Sequence, residues 1–199
     1  MKVELLTSPA SLAEMERNAA LAALTCHDNA DKEHVPAEVL MRIIKLRHES
    51  VLEHITLTYR VVNITRALLQ EVSRHRHISL SVESTRHILR KKLNSKFELD
   101  FLREGASGEW LKAIENIKRI ADTYPEVPND ELKYFLPEFW PTSLVLTSNI
   151  RELRHILNLR TAPAALKEFR CLARAMFEAV PEEFKYLLRD CVHEEASNE

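Results

Sequence analysis

The chain has 199 residues, 45% hydrophobic and 29% charged, ordinary globular usage that argues against disordered and fibrous classes and allows one domain or at most two small ones. A net charge of −2 excludes a globally basic nucleic-acid binder but leaves room for a local basic pocket. Gly105 and Gly108 are the only glycines, so there is neither a G-x-G-x-x-G loop nor a P-loop, and phosphate must be held by side chains and helix ends.

Lys2 to Leu6 predicts a short strand, stopped by Thr7-Ser8-Pro9. Ser11 is placed to cap a helix running to Leu24, with Glu14 completing a capping box. Cys26 to Pro36 reads as a loop, and Pro36 then opens a helix whose Leu40, Ile43 and Ile44 share a face. Ile55 to Val62 alternates like a half-buried strand, and Ile64, Leu68 and Val72 predict a helix over 64–72. Arg74 to Arg86 shows neither period and reads as a loop. Phe97 to Leu102 is a possible strand. Beyond the Gly105/Gly108 loop, Ser107 is placed to cap a helix with Trp110, Ile114, Ile117 and Ala121 on one stripe, ended by Pro125 and Pro128. Thr147 or Ser148 is placed to cap another helix carrying Leu153, Ile156 and Leu157. After Pro163 a last amphipathic helix runs through Leu166, Phe169, Leu172, Met176 and Phe177. No repeat or linker interrupts the chain. The expectation is one helix-rich α+β domain over 1–199.

Cys26, Cys171 and Cys191 are scattered without a C-x-x-C, which points to free thiols in a reducing compartment and to no cysteine metal site. No signal-like segment and no run near the ~20 residues of a membrane span is present. A cytoplasmic protein without a membrane partner is expected.

Arg74 to His87 packs three arginines, three histidines and four hydroxyls, with no lysine. Guanidinium forks and hydroxyls suit phosphate oxygens, so this segment reads as an anion-binding loop, with a solvated loop as the alternative.

The same segment carries R-H-R-x-x-S followed by S-x-R, with Arg74, His75, Arg76, Ser79, Ser84 and Arg86 on the fixed positions. It resembles the signature of the flavin-dependent thymidylate synthases. His48-x-Ser50-x-x-Glu53-His54 and Asn149-x-Arg151-x-Leu153 with Leu157-x-Leu159-Arg160 resemble two further blocks of that family, in family order. The resemblance covers about residues 1–185 and is strongest over 48–160. Ser81 stands where the signature has Asn, Val82 where many members are acidic, and His87 where Tyr is frequent. Glu71 replaces a usual Gln, with Gln70 one place back, and His155 replaces Asn.

The resemblance implies a helix-rich domain around a small antiparallel sheet and a homotetramer with shared sites. It assigns FAD to His48, Ser50, Arg74, His75, Arg76, Asn149, Ile150, Arg151 and His155. It assigns dUMP to Gln70 or Glu71, Arg74, Val82, Glu83, Ser84, Thr85, Arg86, Lys133 and Arg160. Arg160 is the implied catalytic residue, stabilising the ionised pyrimidine. The implied reaction is reductive methylation of dUMP to dTMP, with methylenetetrahydrofolate as carbon donor and NADPH reducing FAD, and no metal. Blander readings stand beside these. Ser50 can be a cap, Arg151 and His155 a solvated helical face, and Arg160 a partner of the helix dipole. Two other functions compete, an inactive nucleotide- or flavin-binding relative and an RNA-binding module using the basic segment. The latter lacks aromatic stacking platforms nearby.

Overall fold

A computed structural model describes residues 1–31, 33–95 and 107–194. In chain order it contains β1 (Lys2–Leu5), α1 (Pro9–Thr25), α2 (Pro36–Lys45), β2 (Thr56–Thr65), α3 (Arg66–Val72), β3 (Ile78–Val82) and α4 (Thr85–Leu93). It continues with α5 (Ser107–Thr123), α6 (Asn129–Leu132), β4 (Pro141–Asn149), α7 (Ile150–Arg160) and α8 (Lys167–Glu178). Short 3-10 turns cover Glu49–His54, Lys133–Phe135, Glu182–Leu187 and Arg189–Cys191. The four strands form one antiparallel sheet in the order β1-β2-β4-β3. The architecture is therefore α+β and helix-rich around a small antiparallel sheet.

The central pair β2 and β4 follows from its period of two. Leu57, Tyr59 and Val61 lie opposite Ser148, Leu146 and Leu144, all buried on the helix-covered face. On the other face Thr58 and Thr147 share a 2.9 Å hydroxyl hydrogen bond. Between Val61 and Ile64 the register shifts, with Asn63 at φ 61°. Asn tolerates this left-handed conformation, and the bulge turns both Ile64 and Thr65 inward. Thr65 then caps α3 by accepting from Leu68 N–H at 2.9 Å. Burying a side chain such as Leu57 or Ile64 stabilises the fold by roughly 1.5–3 kcal/mol.

A second apolar cluster, including Leu89, Leu93, Ile114, Ile117 and Trp140, joins α4 and α5 to the start of β4. Arg90 reaches from α4 to the carbonyls of Ala121, Tyr124, Pro125 and Val127. It thereby supplies donors to the end of α5, where carbonyls lack intrahelical partners.

Several expectations are corrected. Ser8, not Ser11, caps α1, its hydroxyl accepting from Ser11 N–H at 3.2 Å while Pro9 takes the first turn. Asn149, not Thr147 or Ser148, caps α7. The alternating stretch that contains those two residues is β4. Ile64 belongs to β2 and not to a helix. The supposed loop from Arg74 to Arg86 contains β3 and the start of α4; as an edge strand, β3 buries little and gives a weak pattern. Gly108 lies inside α5, which begins at Ser107 itself. The possible strand at Phe97 to Leu102 lies outside the described residues, as does Gly105. Among the described residues no helix is long and apolar enough to cross a membrane, and no His/Cys/Asp/Glu cluster could hold a metal ion.

Candidate active site

Helix α7 is the axis of the site. Its first turn is fixed twice, by Asn149 Oδ1 accepting from Glu152 N–H at 2.8 Å and by Ile150 N–H donating to the Ile55 carbonyl at 2.8 Å. Two arginines on α7 then meet different surroundings.

Arg154 is 2% exposed at its side chain. Its Nε donates to Glu49 Oε1 at 3.2 Å, Nη1 to the Leu187 carbonyl and Asp190 Oδ1 at 2.6 Å each, and Nη2 to Asp190 Oδ2 at 2.7 Å. This is a two-pronged guanidinium–carboxylate pair. Burial pushes Asp190 upward, but the hydrogen bond and charge of Arg154 outweigh it and hold the carboxyl below its ordinary range. Burial also pushes the neighbouring Cys191 thiol up to about 11, so it stays protonated.

Arg160 sits at the last turn of α7. Its Nε donates to His75 Nε2 at 3.2 Å, its Nη1 to Glu71 Oε2 at 3.3 Å, and its guanidinium lies 4.6 Å from the Phe169 ring centroid. His75 Nδ1 is 3.1 Å from Glu152 Oε1, and the imidazole meets Phe169 and His155 edge-on at 5.7 and 5.9 Å. Burial is the main reason His75 lies below its ordinary pKa. Glu71 also holds Arg74 Nη1 at 3.4 Å. Glu71 is therefore the residue that meets Arg160, whereas Gln70 donates to Glu138 at 2.9 Å.

Beside this network is a cavity of about 600 Å³ whose walls include Arg47, Asn149, Arg151, His155, Asn158 and Asp190. That volume suits a small-molecule site. Of the residues assigned to flavin, Asn149, Arg151 and His155 line it. The Asn149 side-chain oxygen is engaged as the α7 cap. Arg151 Nη1 holds Glu53 Oε1 at 2.6 Å, an exposed pair that costs little to exchange for a phosphate. Ile150 is buried, so only its backbone can face a ligand. His48 and Ser50 are exposed around the 3-10 turn at Glu49–His54, and Arg74 and Arg76 on the segment from α3 to β3. Arg76 has no partner among the described residues. His75, 7% exposed, is not among the walls of the cavity.

Sequence reasoning missed Arg47, Glu152, Arg154 and Phe169. Arg47 ends α2 at φ 59°, a conformation usually left to glycine. Arg154 had a legible signal, a cation between the apolar positions Leu153 and Leu157.

The remaining residues expected at the nucleotide lie at the far end of β3. At about 3.3 Å per residue, the strand separates His77 from Glu83 by roughly 20 Å. Ser84 stands at the α4 N-cap without making a side-chain cap bond. The first-turn amides of such a helix lack intrahelical acceptors, which suits an anion. Arg86 Nε donates to Asp130 Oδ1 at 2.7 Å in an exposed pair, and Thr85 lies beside it. Val82 is 39% exposed. Glu83 is engaged on both sides, its amide donating to the Ser143 carbonyl at 2.9 Å and its carboxylate held by Lys92. Lys133 lies in its own 3-10 turn with Nζ 5.4 Å from the Tyr134 ring. The expected nucleotide set thus falls into two groups, Glu71, Arg74 and Arg160 at one end of β3 and Ser84, Thr85 and Arg86 at the other.

Residues 9–184 match the family model described as thymidylate synthase complementing protein. A flavin-dependent thymidylate synthase of Campylobacter jejuni is 37% identical over 191 residues, covering 87% of this chain and 91% of the relative. That of Helicobacter pylori (strain 26695) is 38% identical over 160 residues, covering 73% and 77%. A structure of Helicobacter pylori thymidylate synthase X with FAD and dUMP superposes with a TM-score of 0.86 at 31% identity, covering 98% of this chain and 100% of that one. Extent, identity and fold agree with the motif order along the sequence, and the chain belongs to the flavin-dependent thymidylate synthase family.

Proposed function

We propose that this chain acts as a single-domain flavin-dependent thymidylate synthase, methylating dUMP reductively to dTMP with methylenetetrahydrofolate as carbon donor and NADPH as reductant. One observation carries the reading: Arg160 is held by a buried histidine, a glutamate and a phenyl face, yet keeps unengaged N–H bonds. A guanidinium held in advance is suited to stabilising charge that develops on a uracil ring.

The cavity beside α7 fits FAD in chemistry. Arg47 and Arg151 bring cations for a pyrophosphate, and Asn158 and His155 bring polar groups for the rest. When bound, the flavin supplies the hydride. The protein's part is to bind and orient. Arg160 neutralises the pyrimidine, Arg74 adds charge beside it through Glu71, and Ser84, Thr85 and Arg86 with the α4 amides take the phosphate.

These two groups are roughly 20 Å apart along β3, too far for one nucleotide to bridge within a single copy. This supports sites shared between copies, the pyrimidine group drawn from one and the phosphate group from another, as the expected homotetramer requires. The RNA-binding reading is not favoured, since the family match covers most of the chain.

Mixing Arg86→Ala with Arg160→Ala tests both parts. Each variant alone is expected to bind flavin, seen as a visible absorption band, and to lose nearly all of its turnover. Mixed after subunit exchange, they should regain part of the turnover. No flavin band with excess FAD overturns the flavin assignment; a mixture that stays inactive despite proven exchange overturns the shared site.

A further inference from the structure

The contacts of Arg160 dictate the proton position on His75. A guanidinium Nε always carries its proton and can only donate. The His75 Nε2 it meets at 3.2 Å must therefore present a lone pair. Neutral His75 then carries its proton on Nδ1, and that N–H points at Glu152 Oε1, 3.1 Å away. The donors run one way, from Arg160 to His75 to Glu152, and only this tautomer completes the chain.

We infer that Glu152 and His75 are positioning residues for the reaction: Glu152 selects the imidazole tautomer, and His75 thereby fixes Arg160 so that its remaining N–H bonds face the pyrimidine. The inference rests on the placing of Arg160 at the pyrimidine. Of the five N–H bonds of a guanidinium, His75 and Glu71 take one each, and the others have no acceptor among the described residues. With its face on Phe169 as well, the guanidinium is held at Nε, at Nη1 and across its plane. Without the Nδ1 lock the ring could turn an Nε2–H toward Arg160, setting donor against donor and pushing the guanidinium away.

Protonation of His75 would do the same. From α7 the ring faces Glu152, which favours the charged form, and Arg160 and His155, which oppose it. From α8 the uncharged Phe169 meets it, and Glu71 of α3 bonds Arg160 at Nη1. Arg74 and Arg76 flank it on its own segment. With burial as the largest influence, the ring titrates below its ordinary 6.5 and is neutral at neutral pH.

The test follows kcat/KM for dUMP across pH on both sides of 6.5, with bound flavin measured on each sample. The wild type is expected to lose kcat/KM as pH falls through a value below 6.5, where His75 gains its proton. Glu152→Ala is expected to lower the alkaline plateau on the order of 100-fold while keeping its flavin. Glu152→Gln, whose amide oxygen still accepts from Nδ1–H, is expected to recover much of that loss. Its acidic limb should shift to lower pH, because the charge that favours the imidazolium is gone.

An acidic limb that stays in place in Glu152→Gln overturns the inference, as does a Glu152→Ala enzyme with wild-type turnover. Glu152 also lines the cavity, so loss of flavin in step with turnover overturns the inference too, the carboxylate then serving the cavity rather than His75. If Glu152→Ala does not fold, Glu152→Gln decides. A flavin-bound wild type that makes no dTMP defeats the assignment of Arg160 to the pyrimidine, a failure visible before any Glu152 variant is made.

Discussion

Two arginines about one and two-thirds turns apart on α7 meet opposite surroundings. Arg154 is enclosed, with acceptors from Glu49, the Leu187 carbonyl and both oxygens of Asp190. It ties α7 to the turn after α2 and to the C-terminal 3-10 segment, and it has little left for a ligand. Arg160 is 20% exposed at its side chain and bonded at Nε and Nη1 only, among the described residues. A buried cation with every direction filled holds the fold together, whereas one held firmly but incompletely is ready for a substrate. The same contrast recurs at α4. Arg90, half-buried on a cage of carbonyls, is structural, while Arg86 four residues earlier is exposed and holds only the exposed Asp130.

The contrast breaks most visibly if the two arginines are exchanged in effect. Arg160→Ala is expected to cut kcat by about 10²–10³ while unfolding in denaturant within about 1 kcal/mol of wild type and keeping its flavin. Equal loss of turnover and flavin would mean that Arg160 serves the cavity rather than the pyrimidine.

Arg154→Ala should behave in the opposite way. It strands a carboxylate whose partner was buried, and the expected cost is about 3 kcal/mol, at the low end for buried pairs because Asp190 is half exposed. Denaturant titration measures it. Acid unfolding adds a sign. Asp190 titrates below its ordinary 3.8 in the fold, so the stability it contributes is complete above that value and is lost as pH falls through the lower folded one. Arg154→Ala should lack this acid-labile part, and an unchanged acid limb would count against the pairing.

The smallest effect probes a third state, a polar group enclosed with no partner. The Tyr59 hydroxyl is buried in the β2–β4 core and has no hydrogen-bond partner among the described residues. Tyr59→Phe is expected to stabilise the protein by about 1 kcal/mol, read as a rise in Tm. A drop of that size would show that the hydroxyl has a partner, such as a buried water.

Much of this was legible from residue order. Lys2 to Leu5, the Pro36 helix, the β2 alternation and the Pro163 break all announced themselves, because each depends on interactions within a few residues. β4 was overlooked although its alternation is as regular as that of β2, since Thr147, Ser148 and Asn149 also look like helix caps. Only the strand pairing showed that Asn149 makes the cap. β3 was overlooked because an edge strand needs just one thin apolar face.

By itself the sequence determined the helix-rich α+β composition, the family and the residues carrying its positive charge, because these reside in local periods and fixed spacings. Tertiary structure alone decided how those residues are grouped. Arg74 and Arg86 belong to one short motif, yet an extended strand holds its two halves roughly 20 Å apart. Glu152 and His75 lie 77 positions apart, and packing brings them to 3.1 Å. The cause is physical: a spacing of a few residues governs backbone hydrogen bonds, whereas a buried charge must find its partner in whatever segment the core places beside it.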